Sequence, residues 1–186
     1  GPGSSSTTGA SRCGTLSGVR RVLDLPYHLS YPFLFEDQGE VFMIPETAQD
    51  HTVRLFRALD FPGSWKPEKV LFQGHAADTT LWRQDGFYWF FTSVADRPEA
   101  GQSLLLFSAK SLTGEWTYHP ANPISLDVRN ARSAGALFTA GGRLIRPCQD
   151  GSAGYGCAIN FQEILKLDPS DYLEQPLGYN SLATAT

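Results

Sequence analysis

Cysteine is scarce in this chain: three in 186 residues, Cys13, Cys148 and Cys157. An odd count excludes a disulfide framework. Cys148 and Cys157 can pair only if adjacent strands bring them together, and two buried thiols is the simpler expectation. Nowhere does an apolar run approach the ~18 residues of a membrane-spanning helix. The opening GPGSSSTTGASRCGTLSG has neither the apolar core nor the basic start of a signal peptide, and residues 1–18 read as a flexible lead or tag. A basic surplus is also missing. Lys plus Arg is 15 against 19 for Asp plus Glu, a net charge of −4, which sets a nucleic-acid partner aside. CxxC, HExxH, P-loop and GxGxxG patterns are absent, so the sequence calls for no zinc, nucleotide or dinucleotide cofactor and for no metal site.

What the chain does have is aromatic residues and turn formers. Phe, Tyr and Trp make up 12%, alongside 18 Gly and 12 Pro, a balance that favours an all-β chain. Apolar residues at 41% are enough for a core. An internal repeat organises them. YPFLFEDQGEVFMIPE (Tyr31–Glu46), DTTLWRQDGFYWFFTS (Asp78–Ser93) and AGALFTAGGRLIRPCQ (Ala134–Gln149) align on Gly39, Gly86 and Gly142. Each has Leu five residues earlier, at Leu34, Leu81 and Leu137. Each reads as a hairpin whose turn needs the positive φ of glycine. The next stretches match too. His51–Trp65 parallels Gly101–Trp116, with Ala58/Ala109 and Trp65/Trp116 both 51 residues apart. The equivalent tryptophans read as blade packing. A short fourth strand at Lys69–Phe72 closes the first unit, and Cys157–Leu167 supplies a strand to a third unit with no matching Trp. Four antiparallel strands repeated at about 50 residues predict β-propeller blades. The expected blades are 19–74, 75–127 and 128–172, followed by a C-terminal tail at 173–186.

HLSYP, MIPET, SLTGEW and RLIRPCQD together carry a resemblance to a known family. The chain resembles the N-terminal propeller of glucosamine inositolphosphorylceramide transferase-like proteins, from about Val19 to Tyr172. That propeller is related to the five-bladed propellers of arabinanases, β-xylosidases and invertases. The resemblance implies a five-bladed propeller of which three blades are present, and an upstream blade opening with an Asp-Pro-Phe strand that nothing before Val19 supplies. In the hydrolase relatives that strand carries a catalytic carboxylate. It also implies a carbohydrate or glycolipid ligand, with missing blades or a separate catalytic domain coming from a longer chain. Localisation stays open between the cytoplasm and, for a longer chain, a Golgi or membrane association.

In a propeller the ends of the inner strands point at a central pocket. The candidate ligand contacts there are His28, Tyr31, Ser93, Arg132, Arg146 and Gln149. Glycoside hydrolysis needs two carboxylates flanking the scissile bond. Glu46 follows the apolar FMIP and is expected to be partly buried, as suits a general acid, while Asp78 and Asp150 are the candidate partners. Each has a plainer alternative as a strand-end or turn-capping carboxylate. Arg132 and Arg146 suit a phosphate, a uronate or an internal ion pair. Tyr31, Trp82, Trp89 and Tyr155 suit a sugar face. Three functions fit: a glycan-binding or glycan-positioning propeller, a glycoside hydrolase with paired carboxylates, or a protein-binding scaffold. An open three-blade stack is expected to behave poorly as an isolated monomer, because it leaves strand edges and apolar faces uncovered.

Overall fold

The computed structural model describes residues 20–95 and 102–177. Residues 1–18, read as the lead, and Cys13 lie outside the described residues. Three antiparallel sheets follow one another along the chain. Blade 1 is β1 (Ser30–Asp37), β2 (Glu40–Thr47), β3 (Thr52–Asp60) and β4 (Ser64–Gln73), in that order. Blade 2 is β5 (Ala76–Gln84), β6 (Phe87–Val94), β7 (Ser103–Ala109) and the short β8 (Thr117–Tyr118). Blade 3 comprises β9 (Arg132–Ser133), β10 (Phe138–Ala140), β11 (Arg143–Asp150), β12 (Ala158–Asp168) and β13 (Asp171–Pro176). In it both β9 and β10 pair with β11, so its inner strand is split in two. The fourth strand of blade 1 is longer than the predicted Lys69–Phe72. Strand structure also continues to Pro176, into the stretch that reads as a tail.

The three inner hairpins close with the same two-residue turn. Gln38–Gly39, Asp85–Gly86 and Gly141–Gly142 all have both residues at positive φ, between 51° and 80°. Paired positive φ is the mark of a type I′ turn, whose twist matches that of the flanking strands. Glycine at the second position removes the Cβ clash that a side chain would meet there.

Strand alternation gives each blade two apolar faces, and the two interblade layers form the core. In the first, Phe42, Ile44, Val53 and Leu55 of blade 1 pack on Leu81, Phe90, Leu105 and Phe107 of blade 2. The Phe90 and Phe107 rings stack at 4.5 Å and Trp116 closes on Phe90 at 4.7 Å. In the second, Trp89, Phe91, Leu104 and Leu106 of blade 2 pack on Leu137, Ile164 and Leu167 of blade 3. Each such fully buried side chain contributes about 1.5–3 kcal/mol. Polar pins cross both layers. Asp37, at the end of β1, accepts from Tyr88 Oη at 2.9 Å and from Arg83 at 3.1 Å. His119, buried between blades 2 and 3, places Nε2 2.8 Å from the Asp168 carbonyl and accepts the Ala121 N–H at Nδ1. That pattern assigns the Nε2–H tautomer.

The two outward faces of the stack differ. Leu34 stands where Leu81 and Leu137 are buried, and is 49% exposed because no blade precedes it among the described residues. Yet Met43 and Phe56, on the same face and equivalent to Phe90 and Phe107, are buried. Segment 20–29 runs along blade 1, and within it residues 23, 25, 27 and 29 are half-buried while those between them are exposed. Tyr27 lies beside Asp50 and Arg54. The Arg20 guanidinium occupies the space where a side chain at Gly63 would go. This strap lies against β3 and the β3–β4 turn of blade 1. On the opposite face, on blade 3, Ile159, Leu165 and Leu173 are each about half exposed, while Ile145 is buried.

Candidate functional site

At the end of each inner strand away from the type I′ turn, the pairing with its neighbour breaks. β1 bulges between Ser30 and Phe33, and β5 bulges between Ala77 and Thr80. In blade 3 the break separates Ser133 from Phe138. The three breaks fall at equivalent places, counted from Gly39, Gly86 and Gly142. Bulges re-aim side chains next to functional sites. Here they put two non-glycine residues into the left-handed region, Tyr31 at φ 42° and Asp78 at φ 51°, with Gly135 at 137° in the third blade. Holding an L-residue there costs on the order of 1–2 kcal/mol, and such strain concentrates at functional sites.

The re-aimed side chains meet across three blades. Tyr31 Oη lies 3.1 Å from Thr80 Oγ1. Asp78 is almost fully buried, and its Oδ2 receives Arg132 Nε at 2.6 Å, Arg132 Nη2 at 2.5 Å and Gln149 Nε2 at 3.2 Å. Gln149 Nε2 also donates to the Ser133 carbonyl at 2.8 Å, which fixes the amide. Beneath them Thr79 and Thr92 share a hydrogen bond of 2.7 Å, and Ser93 Oγ donates to the Ala131 carbonyl at 2.7 Å. Burial raises the Asp78 carboxyl above its usual range, against the pull of Arg132 and Gln149. Burial likewise raises the Tyr31 phenol. Above this network opens a cleft of ≈ 350 Å³, lined by Tyr31, Gln149, Tyr155, Ile159 and small residues of the 134 and 156–158 segments. Tyr155 is 89% exposed, with the Arg132 guanidinium 5.9 Å from its ring centre.

Tyr31, Asp78, Arg132 and Gln149 therefore come together, as four of the nine sequence-derived candidates. The other five lie elsewhere or are occupied. Ser93 is buried and spends its hydroxyl on Ala131. His28 is exposed and is anchored through its backbone N–H to Gln49 Oε1 at 2.8 Å. Glu46 is half-buried on β2, opposite Ser30 and Val53. Asp150 is committed to Ser152 and Asn160, and those hydrogen bonds hold its carboxyl below the usual range. Arg146 does not join them. It is fully buried in the layer between blades 2 and 3, where Glu174 grips it at 2.9 and 2.7 Å and the Asn130 carbonyl accepts at 3.0 Å. It occupies the position of Met43 and Phe90, four residues after the turn glycine. Its acceptor Glu174 went unrecognised because it sits beyond Tyr172, where the sequence reads as tail.

Two further expectations are corrected. Trp89 is buried in the second core layer and Trp82 packs against it, so neither is a sugar platform. Of the two described cysteines, Cys148 is buried but Cys157 is exposed, and both are free. Trp116 packs in the first layer, whereas Trp65 lies near the surface against Phe61 with its indole N–H on the Pro62 carbonyl. Thr80, Ala134 and Gly135, which complete the site, carry no sequence signal, because a bulge has none that differs from a turn's.

Solved structures with this fold are glycoside hydrolases. A family-43 β-1,3-galactosidase bound to galactodeoxynojirimycin superposes with a TM-score of 0.58 at 16% identity, over 77% of this chain and 44% of that one. An endo-arabinase from Bacteroides thetaiotaomicron gives 0.59 at 18% identity, over 81% and 55%. Likeness at this identity establishes the propeller fold alone. Sequence relatives are closer. Glucosamine inositolphosphorylceramide transferase 1 of Oryza sativa subsp. japonica is 38% identical over 159 residues, 83% of this chain and 21% of that protein. The Arabidopsis thaliana protein of the same name is 36% identical over 157 residues, 82% and 20%. The chain thus spans about a fifth of the curated relatives it matches. The family model for the N-terminal part of glucosamine inositolphosphorylceramide transferase 1 matches residues 4–184. A propeller-bladed chain matched over that span belongs to the glucosamine inositolphosphorylceramide transferase 1 N-terminal family.

Proposed function

We propose that this domain is a carbohydrate-binding β-propeller segment that holds a glycan, or the glycan part of a glycolipid headgroup, in the cleft above Asp78 and Arg132. One observation carries the reading. Three inner-strand bulges aim Tyr31, Asp78 and the Arg132–Gln149 pair at one place, beneath a cleft with an exposed aromatic ring at its rim. Sugars present alternating hydroxyls and C–H faces, and such sites recognise them with fixed amide and hydroxyl groups plus an aromatic face. In the longer proteins of the family the domain would position a glycolipid for a catalytic segment elsewhere in the chain, and further blades would complete a five-bladed propeller.

A glycoside hydrolase using Glu46 with Asp78 or Asp150 is the second reading, favoured by the fold likeness and by the raised Asp78 carboxyl. Against it, Asp78 is sealed under its own partners and Asp150 is tied into a turn. A glycan array run beside a chromogenic glycoside panel separates the readings, with wild type, Tyr155→Ala and Glu46→Gln compared. The binding reading expects sugar capture that Tyr155→Ala weakens roughly tenfold, without turnover. Turnover abolished by Glu46→Gln would establish the hydrolase instead. Neither capture nor turnover would leave the protein-binding scaffold.

A further inference from the structure

Beneath the cleft lies an arginine whose charge is already paired. Arg132 is half-buried behind Gln149 and Tyr155, where a guanidinium would ordinarily mark a site for a phosphate or a uronate. Both its Nε and its Nη2 are directed at one oxygen of Asp78. Among the described residues, none that lines the cleft carries a formal charge. An anion entering it would lose water and find no free cation in return. A neutral ring would lose less, and its C–H face suits the rims of Tyr31 and Tyr155.

Asp78 is singular in its place. The equivalent bulge positions are Tyr31 in blade 1 and Ala134 in blade 3, so a carboxylate is no requirement of the bulge itself. Asp78 is held in a strained backbone conformation and in near-complete burial, and what those costs secure is the pairing with Arg132.

We propose that Asp78 is a specificity-determining residue: by cancelling Arg132 it makes the cleft select uncharged sugar rings and reject anionic ones. This rests on the sugar-binding reading above and sharpens it, since it assigns the cleft to a neutral sugar of the headgroup and not to a phosphate or an acidic sugar.

The test is calorimetric titration of the chain with three probes: uncharged methyl hexosides, the corresponding uronic acids, and inositol phosphate. Wild type is expected to prefer the neutral glycosides at least tenfold, with affinity little changed between low and moderate salt. Asp78→Asn keeps the hydrogen-bonding shape, and Asn tolerates the left-handed backbone as Asp does. With Arg132 uncancelled, the ratio of uronate to neutral affinity is expected to rise at least tenfold and to become salt-sensitive. Asp78→Asn/Arg132→Gln should return the ratio to the wild-type value. A wild type that prefers uronate or phosphate overturns the proposal while leaving sugar binding standing. So does an Asp78→Asn protein, folded by its thermal melt, whose ratio is unchanged. Should that variant not fold, the wild-type preference and salt response decide alone. No binding of any probe removes the sugar-binding reading, and this proposal with it.

Discussion

Charge burial sets the behaviour of single residues here. Arg146 sits in a largely apolar layer, where Glu174 neutralises it; burial disfavours its charge, but Glu174 outweighs that and the guanidinium stays protonated. Breaking such a pair leaves an uncompensated ion, whereas replacing both partners often costs nothing. Glu174→Leu is therefore expected to lose about 3–5 kcal/mol in a denaturant melt. Arg146→Met/Glu174→Leu, which copies the Met43 solution of blade 1, should recover most of that loss. Cys148 behaves differently. Burial pushes its thiol up to about 11, so it stays protonated and inert near neutrality. An alkylating reagent at pH 8 is expected to label Cys157 and to spare Cys148 until the chain unfolds, as peptide mapping would show. The same shift predicts a stability loss at high pH. The unfolded thiol ionises near 9 while the folded one waits until about 11, so this contribution is intact below pH 9 and drains away as the pH climbs between the two values. A Cys148→Ala comparison of melts at pH 8 and 10.5 reads it out. Asp78, Arg132 and Gln149 were identifiable as candidates because propeller topology dictates where inner strands end. For Arg146 the choice between a ligand and an internal ion pair was not legible, because nothing in RLIRPCQD says which face of β11 it takes.

At the level of the strand and hairpin, the sequence was more transparent. The three turn glycines and the Leu five residues before each located every inner hairpin, because a type I′ turn tolerates few residues and the pleat repeats every second one. Gly86 has φ 74° and open space around its missing Cβ, so Gly86→Ala meets no clash with a neighbour. Its expected cost is conformational alone, about 1 kcal/mol, measurable as a shift in the urea midpoint. The bulges were the illegible part. What they bring together lies far off in sequence: Tyr31 meets Thr80, 49 positions away, and Asp78 meets Arg132, 54 positions away.

Taken as a whole molecule, the stack is apolar at one end and covered at the other. Ile159, Leu165 and Leu173 form a face that a further sheet would bury, so the isolated chain is expected to self-associate as concentration rises. Light scattering on wild type and on Ile159→Asp/Leu173→Asp should show the association and its relief; a wild type that stays monomeric throughout would contradict it. The strap protects the other end. Leu25→Asp/Tyr27→Asp is expected to expose Met43 and Phe56, seen as binding of a hydrophobic dye and as faster amide exchange in β2 and β3, with blade 3 unaffected.

The strap also gives the stack a direction in time. Residues 20–29 leave the ribosome before β1, so they are on hand when the first sheet forms. A blade with both faces open could collapse onto any apolar strand nearby, including that of another nascent chain. With the strap lying along one side, blade 1 offers its other face to the next polypeptide to arrive, blade 2.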